Sequence, residues 1–296
     1  MSSNIRMLAK KGLIKAAGYI PETEYEVLTG SVAYGVSSDN SDKDVVSFCI
    51  PPTRILFPHT NGIIPGFGNQ GETFKVYQKH HIIHPDNQIN YDINVYNIVH
   101  FFNLTMNGNP NMIDTLFVPR RCILFSTKIG DIVRDNRKLF LSKKMWHTFK
   151  GYAYSSLHKC ITKTPNGNRQ KYVAEHGYDT KYLYHVVRLL DEIEQILEHG
   201  DIDLERAREK MKAVRAGEVS FEEVKLMFEL KEKELEKLYA SSLIPHKPDE
   251  TVIKRVLINC IEERYGNIEN FINKGHSDSE KTVNSLVEVL KNDGWL

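Results

Sequence analysis

The sequence predicts an α+β fold, in which a small mixed β-sheet core with flanking helices is followed by a mostly α-helical part. Two observations predict this fold. Short β-prone runs alternate with turns and short helical stretches up to about residue 126, and beyond it nearly all apolar residues recur at helical spacing. A chain of 296 residues is comfortable for two domains. We therefore expect one domain at 1–130 and a helical domain at 131–296 that completes a cleft with it.

The first domain is predicted from the N-terminus onward. A weak amphipathic helix over 5–17 precedes a first strand at 25–29, which ends at the turn Gly30-Ser31. Residues 44–50 are almost continuously apolar, as in a central strand covered on both faces. A long loop rich in Gly and Pro follows. The remaining predicted elements are a β-leaning stretch at 72–83, a strand at 89–95, a helix from 98 closed at 107–109, a helix at 111–117 and an edge strand at 122–125.

The second part is predicted as a series of amphipathic helices. Asp179 has the position of an N-cap for a strong helix that runs to Glu198, with an apolar stripe repeating every three to four residues. Tyrosines at helical spacing in this part, Tyr152 and Tyr182 among them, could stack on bases but are more typical of core or boundary positions. The other predicted helices span 145–161, 203–213, 220–239, 249–263 and 283–290.

Composition restricts the compartment and the partners. The net charge is +1, so no global field steers the molecule onto nucleic acid or a membrane. The four cysteines are scattered without a CxxC pair, which indicates buried thiols in a reducing compartment. No apolar run reaches the length of a membrane span, and the N-terminus has no cleavage signature. We expect a cytoplasmic protein without a membrane partner; the sequence does not indicate the oligomeric state.

The stretch from Gly30 to Asp44 has the chemistry of a phosphate and metal site. Gly30 lets a backbone approach phosphates closely, and Ser31 offers a hydroxyl and an N–H group. Asp42 and Asp44 stand two residues apart at the entrance of the apolar strand, so their carboxylates point to the same face. Two carboxylates so close repel each other unless a cation such as Mg²⁺ neutralises them. Alone, each piece is also typical of an ordinary turn or a solvated loop end.

The residues carry a resemblance to a known family. The segment 30–35, Gly-Ser-Val-Ala-Tyr-Gly, together with Ser41-Asp42-Lys43-Asp44, resembles the GS…DxD signature of the DNA polymerase β-like nucleotidyltransferase superfamily. It is most similar to a bacterial and phage branch with a GSxAYG…SDxD motif. Further blocks that resemble this branch are Tyr91-Asp92, Val95-Tyr96, Phe101-Phe102, Gly108-Asn109-Pro110-Asn111, Leu116-Phe117, and the segment 177–190.

The resemblance implies roles for individual residues. Asp42 and Asp44 would bind metal, Asp92 would be the third metal-binding and catalytic carboxylate, and Gly30 and Ser31 would contact a triphosphate. Glu72 and Asp86 are rivals for the third carboxylate, but Asp92 lies within a strand among apolar neighbours, where an unneutralised charge is costly. The chain departs from the branch at two positions: Val32 stands where arginine is common, and Ser47 where glycine is common.

Two further groups of residues have both a functional and an ordinary interpretation. Lys181, His185 and Arg188 recur on the helix after Asp179, on the side opposite its apolar stripe. They form either a solvated basic face or a nucleotide-binding wall of the cleft. A second group is His80, His81 and His84. His80 and His84 are spaced so that they could bind one zinc ion only if they lay on a helix. The local sequence favours a β-strand instead, so we expect exposed histidines on a strand or loop.

Taken together, the sequence and the resemblance predict a metal-dependent nucleotidyltransferase. It would transfer a nucleoside monophosphate from an NTP to a hydroxyl and release pyrophosphate, with two Mg²⁺ ions, or Mn²⁺ in their place, as cofactors. The acceptor stays open between an RNA or tRNA end, a protein and a small molecule; the near-neutral charge argues mildly against long nucleic acid. The alternative is a catalytically silent nucleotide-binding regulatory or interaction module, which would have no need of three mutually repelling carboxylates.

Overall fold

The structure, a computed structural model, describes residues 3–37, 42–71, 73–86, 88–164 and 169–268. Within these residues the protein has the predicted α+β architecture, with a five-stranded mixed sheet followed by a mostly helical second part. Ser41, the rival carboxylate Glu72 and the predicted helix at 283–290 lie outside the described residues.

The sheet has the strand order β3-β4-β2-β1-β5. Its strands are β1 (Thr23–Leu28), β2 (Lys43–Cys49), β3 (Val76–Ile83), β4 (Asn90–Asn97) and β5 (Ile123–Ser126). β2 and β4 are parallel, and the other neighbouring pairs are antiparallel. β2 is central and its last five residues are buried, as its apolar run predicts. β5 is an edge strand, also as predicted.

Helices account for most of the remaining described residues. Those of the first part are α1 (Asn4–Lys10), α2 (Gly30–Ala33), α3 (Thr53–Leu56), α4 (Ile98–Met106), α5 (Pro110–Phe117) and α6 (Lys128–Asp135). Those of the second part are α7 (Met145–Thr162), α8 (Arg169–His176), α9 (Thr180–His199), α10 (Arg208–Arg215), α11 (Phe221–Ser241) and α12 (Glu250–Tyr265). α1 ends well before the predicted residue 17, because Gly12 adopts a left-handed conformation with φ of +70°. The predicted loop over 53–71 contains α3.

The main helix of the second part is capped as its sequence predicts. The side chain of Asp179 accepts hydrogen bonds from the backbone N–H groups of Lys181 and Tyr182, and Gly200 ends α9 in the left-handed region. α9 packs against α7, α10 and α11, so it is the central helix of this part. α11 begins with a reciprocal capping box between Ser220 and Glu223.

The two faces of the sheet contribute to different cores. On one face, Val45 and Ile93 pack with Ile5 and Leu8 of α1. On the other face, residues such as Phe48 join a large core shared with α4 to α7 and α9 to α12. Because side chains alternate along a strand, the even-numbered residues of β2 and β4 face this helical side. Polar residues on that face therefore lie where the sheet meets the helical part.

Two expectations from composition can be compared with the structure. All four cysteines are free and buried, and burial raises the pKa of Cys49, Cys160 and Cys260 to about 12, which makes these thiols unreactive. No helix in the described ranges is both long enough and apolar enough to span a bilayer.

Candidate active site

The parallel pair β2–β4 brings two of the predicted carboxylates side by side. Asp44 and Asp92 are direct register partners, so their Cα atoms are about 5 Å apart and their side chains share one face of the sheet. Asp42 immediately precedes β2 and is exposed; its Oδ1 accepts a hydrogen bond of 3.0 Å from Asn90 Nδ2 at the start of β4. All three predicted carboxylates therefore lie at the N-terminal ends of two adjacent strands.

Gly30 packs directly against one of these carboxylates. It has a left-handed φ of +63°, and a Cβ atom built on it would overlap Asp44 Oδ2. The neighbouring Thr29 N–H donates a 2.9 Å hydrogen bond to the Asp44 carbonyl, which fixes the distance between the two segments. Only glycine satisfies both the conformation and the close approach. Ser31 follows in the first turn of α2 and is half-buried.

The surroundings of Asp44 disfavour its charged form. Burial raises its pKa, the nearby Lys181 opposes this effect, and the negative charges of Asp92 and Asp42 add to it, so that the pKa of Asp44 is raised from 3.8 to about 6. His80 makes a smaller opposing contribution. The raised pKa reflects burial and the mutual repulsion of the three carboxylates, which is the electrostatic condition for binding a cation.

Asp92 is engaged by β3. Its Oδ1 accepts a 2.8 Å hydrogen bond from the His81 backbone N–H, and its Oδ2 lies 3.2 Å from His80 Nδ1. A β-bulge between Lys79 and Ile82, in which His81 has a φ of +55°, points both groups at the carboxylate. His80 and His81 are exposed, as expected, whereas the expectation is wrong for His84, which is 5% exposed.

The oxygen-only donor set fits a hard divalent cation such as Mg²⁺. In the described part of the chain, however, no three His, Cys, Asp or Glu side chains are gathered closely enough to form a metal-binding group, and this holds for the three carboxylates as for the three histidines. Asp92 is turned towards His80 and His81 instead. The carboxylates are thus adjacent but not converged, and ligation would require Asp92 to leave its β3 contacts.

The helical part faces this site with the first two turns of α9. Lys181 is exposed, and it is the strongest positive influence on Asp44. One turn later, His185 is half-buried and its Nδ1 has no hydrogen-bond partner within the described residues. Burial lowers the pKa of His185 well below its usual value, and the positive charges of Arg188, Lys181, Arg169 and Arg215 lower it further. His185 is therefore a neutral imidazole surrounded by cations.

Arg188 differs from the sequence expectation. It was predicted on the side of α9 opposite the apolar stripe, but it is only 4% exposed. Its guanidinium donates hydrogen bonds to the Asp114 carboxylate of α5 and to the Tyr34 hydroxyl, and Glu192 lies 3.7 Å away. The expectation fails because α9 is surrounded by other helices and because Asp114 and Glu192 supply the charge that makes burial of an arginine tolerable.

Two arginines that no sequence pattern singles out join Arg188 in holding the segment 30–36. Arg121 donates a 3.2 Å hydrogen bond to the Val32 carbonyl, and Arg215 of α10 donates one of 2.6 Å to the Val36 carbonyl. Their partners are backbone oxygens 89 and 179 residues away in sequence, for which no sequence pattern exists. We refer to Arg121, Arg188 and Arg215 as the arginine clasp.

Most of the chain is similar to one known protein family. A sequence model of the family described as "RNA repair pathway DNA polymerase beta family" (RlaP) matches residues 15–257, a range that includes both strands of the carboxylate pair and most of the helical part. No curated protein matches the chain. Among solved structures, a nucleotidyltransferase-like protein from Exiguobacterium sibiricum 255-15 is similar, with 11% identity, a TM-score of 0.29, and coverage of 98% of this chain and 90% of that chain.

Proposed function

The chain belongs to the RNA repair pathway DNA polymerase beta family, and from this premise we propose that it transfers a nucleoside monophosphate from an NTP to the 3′ hydroxyl of an RNA. Membership makes it a polymerase β-like nucleotidyltransferase. The choice of RNA over a protein or a small molecule rests on the description of the family. The proposal includes the division into a catalytic domain at 1–130 and a helical domain at 131–296, with the triphosphate between them.

The observation that carries the proposal is the register of β2 and β4. It makes Asp44 and Asp92 neighbours, with Asp42 beside them and Gly30 packed against Asp44. A purely structural use of three adjacent carboxylates is unfavourable, because the burial of Asp44 already raises its pKa to about 6. When bound, two divalent ions, Mg²⁺ or Mn²⁺, held by Asp42, Asp44 and Asp92 would neutralise phosphate charge and acidify the attacking hydroxyl.

The protein's own groups divide the remaining tasks. Gly30 and Ser31 contact the β- and γ-phosphates, and Lys181 stabilises the negative charge of the leaving pyrophosphate. The carboxylate of Asp92 accepts the proton of the 3′ hydroxyl. The bond from O3′ to the α-phosphorus forms as the bond from the α-phosphorus to the bridging oxygen of the β-phosphate breaks, and pyrophosphate carries away the electron pair.

His185 and Arg188 have less direct parts in this proposal. His185 lines the cleft as a neutral hydrogen-bonding group, since its buried Nδ1 is without a partner in the described residues. Arg188 acts as a positioning residue: it binds Tyr34 and Asp114, and thereby fixes the turn that follows Ser31. A nucleotide contact by Arg188 itself would require it to leave a buried ion pair.

The test is transfer of label. The protein is incubated with each α-labelled NTP, Mg²⁺ or Mn²⁺, and an oligoribonucleotide that has either a free or a phosphorylated 3′ end. Labelled product is expected only with the free 3′ hydroxyl, and it should disappear in Asp44→Asn and in Asp92→Asn. Asp86→Asn is the matched control, because Asp86 is an exposed aspartate that pairs with Lys11 outside the site.

Two outcomes would contradict the proposal in different ways. Undiminished transfer by Asp44→Asn would refute the assignment of the metal-binding carboxylates. Tight NTP binding without transfer to RNA, protein extracts or metabolite pools would instead identify a silent nucleotide-binding module.

A further inference from the structure

One segment of the chain is strongly basic although the whole molecule is not. Between Asp135 and Glu175 there are 39 residues without a single Asp or Glu, and nine of them are Lys or Arg, whereas the net charge of the whole chain is +1. This segment includes all of α7, an 18-residue helix. A solvated helix usually mixes both signs of charge, as α11 does, so a helix without carboxylates indicates a polyanionic partner.

Lys159 of α7 and the lysines that flank the helix, Lys144 and Lys163, lie in one row with a tyrosine. We define the α7 stripe as Lys144, Thr148, Tyr152, Ser155, Lys159 and Lys163, which recur every three or four residues and are at least partly exposed. The stripe extends over about 28 Å at 1.5 Å per residue. A groove of about 520 Å³ runs along its middle, lined by Thr148, Tyr152, Ser156 and Lys159 among others. Tyr152, expected as a core or boundary residue, is 41% exposed.

One end of the α7 stripe contacts the start of α9, the helix that carries Lys181. Lys163 Nζ donates a 2.8 Å hydrogen bond to the Tyr182 hydroxyl, and the Arg169 guanidinium lies 4.5 Å from the centre of the Tyr182 ring. Tyr182 directly follows Lys181, whose charge acts on Asp44. This end of the stripe therefore lies against the first turn of α9, the turn that carries Lys181.

The middle of the stripe is close to the sheet. The Tyr152 hydroxyl accepts a 3.2 Å hydrogen bond from Asn109 Nδ2, and Tyr152 is near enough to Tyr96 to raise the pKa of Tyr96, although burial is the larger cause. Tyr96 lies four residues after Asp92 on β4, on the same face of the sheet. A chain lying along the stripe would thus pass over the face that carries the catalytic carboxylates.

The neighbouring carboxylates leave the stripe free. Glu232 and Glu236 of α11 pair with Lys150, which lies outside the stripe. Within the described residues, no ion pair or hydrogen bond engages the ammonium group of Lys159. Lysines at both ends of the stripe and an exposed tyrosine between them match a single-stranded polynucleotide, whose phosphates bind the cations and whose bases stack on the ring.

We propose that the α7 stripe binds the single-stranded RNA immediately 5′ of its reacting end. This inference rests on the proposed function, since it assigns a surface to the acceptor of that reaction. The stripe recognises backbone charge and base stacking, neither of which depends on sequence, so it would accept RNA ends of varied sequence. The near-neutral charge of the whole chain is compatible with this partner, because the segment between Asp135 and Glu175 is locally basic.

The experiment measures RNA binding without catalysis. Fluorescence anisotropy of a short 5′-labelled single-stranded RNA is titrated with the full chain in EDTA and without NTP, at several salt concentrations. We expect the double variant Lys159→Gln with Lys163→Gln to bind at least tenfold more weakly. For this variant, a plot of the logarithm of the RNA association constant against the logarithm of the salt concentration should have a slope shallower by about 1.4. Each of the two lost phosphate contacts accounts for about 0.7 of this change.

Matched variants separate the stripe from general effects of charge. Lys233→Gln with Lys237→Gln removes the same charge at the same spacing from the exposed face of α11, and RNA affinity should change less than twofold. Tyr152→Ala should weaken binding about tenfold, whereas Tyr152→Phe, which keeps the stacking ring, should bind as the unaltered chain does.

The results distinguish this inference from the proposed reaction. Equal RNA affinity in the unaltered chain and in the Lys159 and Lys163 double variant would overturn the inference, as would absence of salt-dependent RNA binding. If RNA binds through the stripe but no nucleotide is ever transferred to it, the inference about RNA binding is supported and the proposed reaction is refuted. If transfer occurs and the KM for RNA is unchanged in that double variant, the proposed reaction is supported and the inference about RNA binding is refuted.

Discussion

The Arg188 guanidinium on α9 is bonded to the Asp114 carboxylate on α5, and both side chains are almost completely buried. Burial alone would lower the pKa of Arg188, but Asp114 and Glu192 outweigh it and raise that pKa, so the arginine stays charged. The same Asp114 oxygen accepts a 2.7 Å hydrogen bond from the Tyr34 hydroxyl. One ion pair therefore joins the helical part to the turn that follows Gly30 and Ser31.

Replacing only one residue of this ion pair should destabilise the fold. Arg188→Met leaves Asp114 buried without a counter-charge, and we expect a loss of about 3 to 5 kcal/mol in the free energy of unfolding, measured by urea denaturation. Replacing both partners, as in Arg188→Met with Asp114→Leu, should recover a large part of this loss. A double variant no more stable than Arg188→Met would contradict the assigned coupling. Lys254→Met, which breaks an exposed pair with Glu250, is the control.

Gly30→Ala should reduce activity by more than its backbone strain alone would explain. Alanine at a positive φ costs about 1 to 2 kcal/mol wherever it occurs, and at Gly30 the new methyl group would also push against Asp44 Oδ2. The matched control is Gly68→Ala, because Gly68 has a φ of +66° but no atom within 4 Å of the added Cβ. Both variants should lose similar backbone energy, but only Gly30→Ala should lose most of kcat. Equal activity in the two variants would show that close packing on Asp44 is unimportant.

The raised pKa of Asp44 gives a stability prediction with a definite sign. Its pKa is about 6 in the metal-free fold against 3.8 for the ordinary group, so the folded state binds more protons between these values. The free energy of unfolding should therefore fall as pH rises from about 4 to 6, by an amount on the order of 1 to 3 kcal/mol from this group. Asp44→Asn should melt at a higher temperature than the unaltered chain at pH 7.5 in EDTA, and at a similar one near pH 4.

Added Mg²⁺ should show the opposite pattern. It requires ionised carboxylates, so it should raise the melting temperature clearly at pH 7.5 and little at pH 5. Because the same carboxylate titrates, transferase activity should fall as the pH drops through about 6. Excess Mg²⁺ should move the midpoint of this fall to lower pH. A Mg²⁺ effect that is equal at both pH values, or that persists in Asp44→Asn, would contradict binding at this site.

Lys181→Met tests the electrostatic link between the helical part and the carboxylates. Because the charge of Lys181 holds the pKa of Asp44 down, its removal should move the acid limb of activity to higher pH. Loss of a phosphate contact should also raise the KM for NTP about tenfold. Lys237→Met on α11 removes an equally exposed charge and should change neither quantity. A KM effect without a shifted pH profile would indicate that Lys181 contacts substrate but lies too far from Asp44.

The sequence predicts the local features of this protein well. The strand positions of Asp44 and Asp92, the cap at Asp179 and the edge strand β5 follow from apolar runs, spacing and capping chemistry, which act over a few residues. The parallel register that pairs Asp44 with Asp92 is not encoded locally, since 48 positions separate them, and the resemblance to a family implied only that Asp92 joins Asp44 in one site.

What the sequence could not predict depends on distant partners. Arg188 looks like a surface residue on its own helix, and only the packing of α5 and α9 shows that Asp114 compensates its charge. Arg121 and Arg215 bind backbone oxygens, which every residue has. The turn of Asp92 towards His80 and His81 arises from a bulge in β3, for which the sequence offers no signal.

The arginine clasp has a mechanical consequence. Because three side chains rooted in different segments hold residues 30–36, the turn that is proposed to meet the triphosphate moves as one body with α9 and α10. A hinge that swung the sheet away from the helices would have to break the buried ion pair between Arg188 and Asp114 and the hydrogen bond from Arg215 to the Val36 carbonyl at once. Nucleotide exchange is therefore expected to proceed through a cleft that is already assembled, with admission governed by side-chain and loop movements rather than by closure of two lobes.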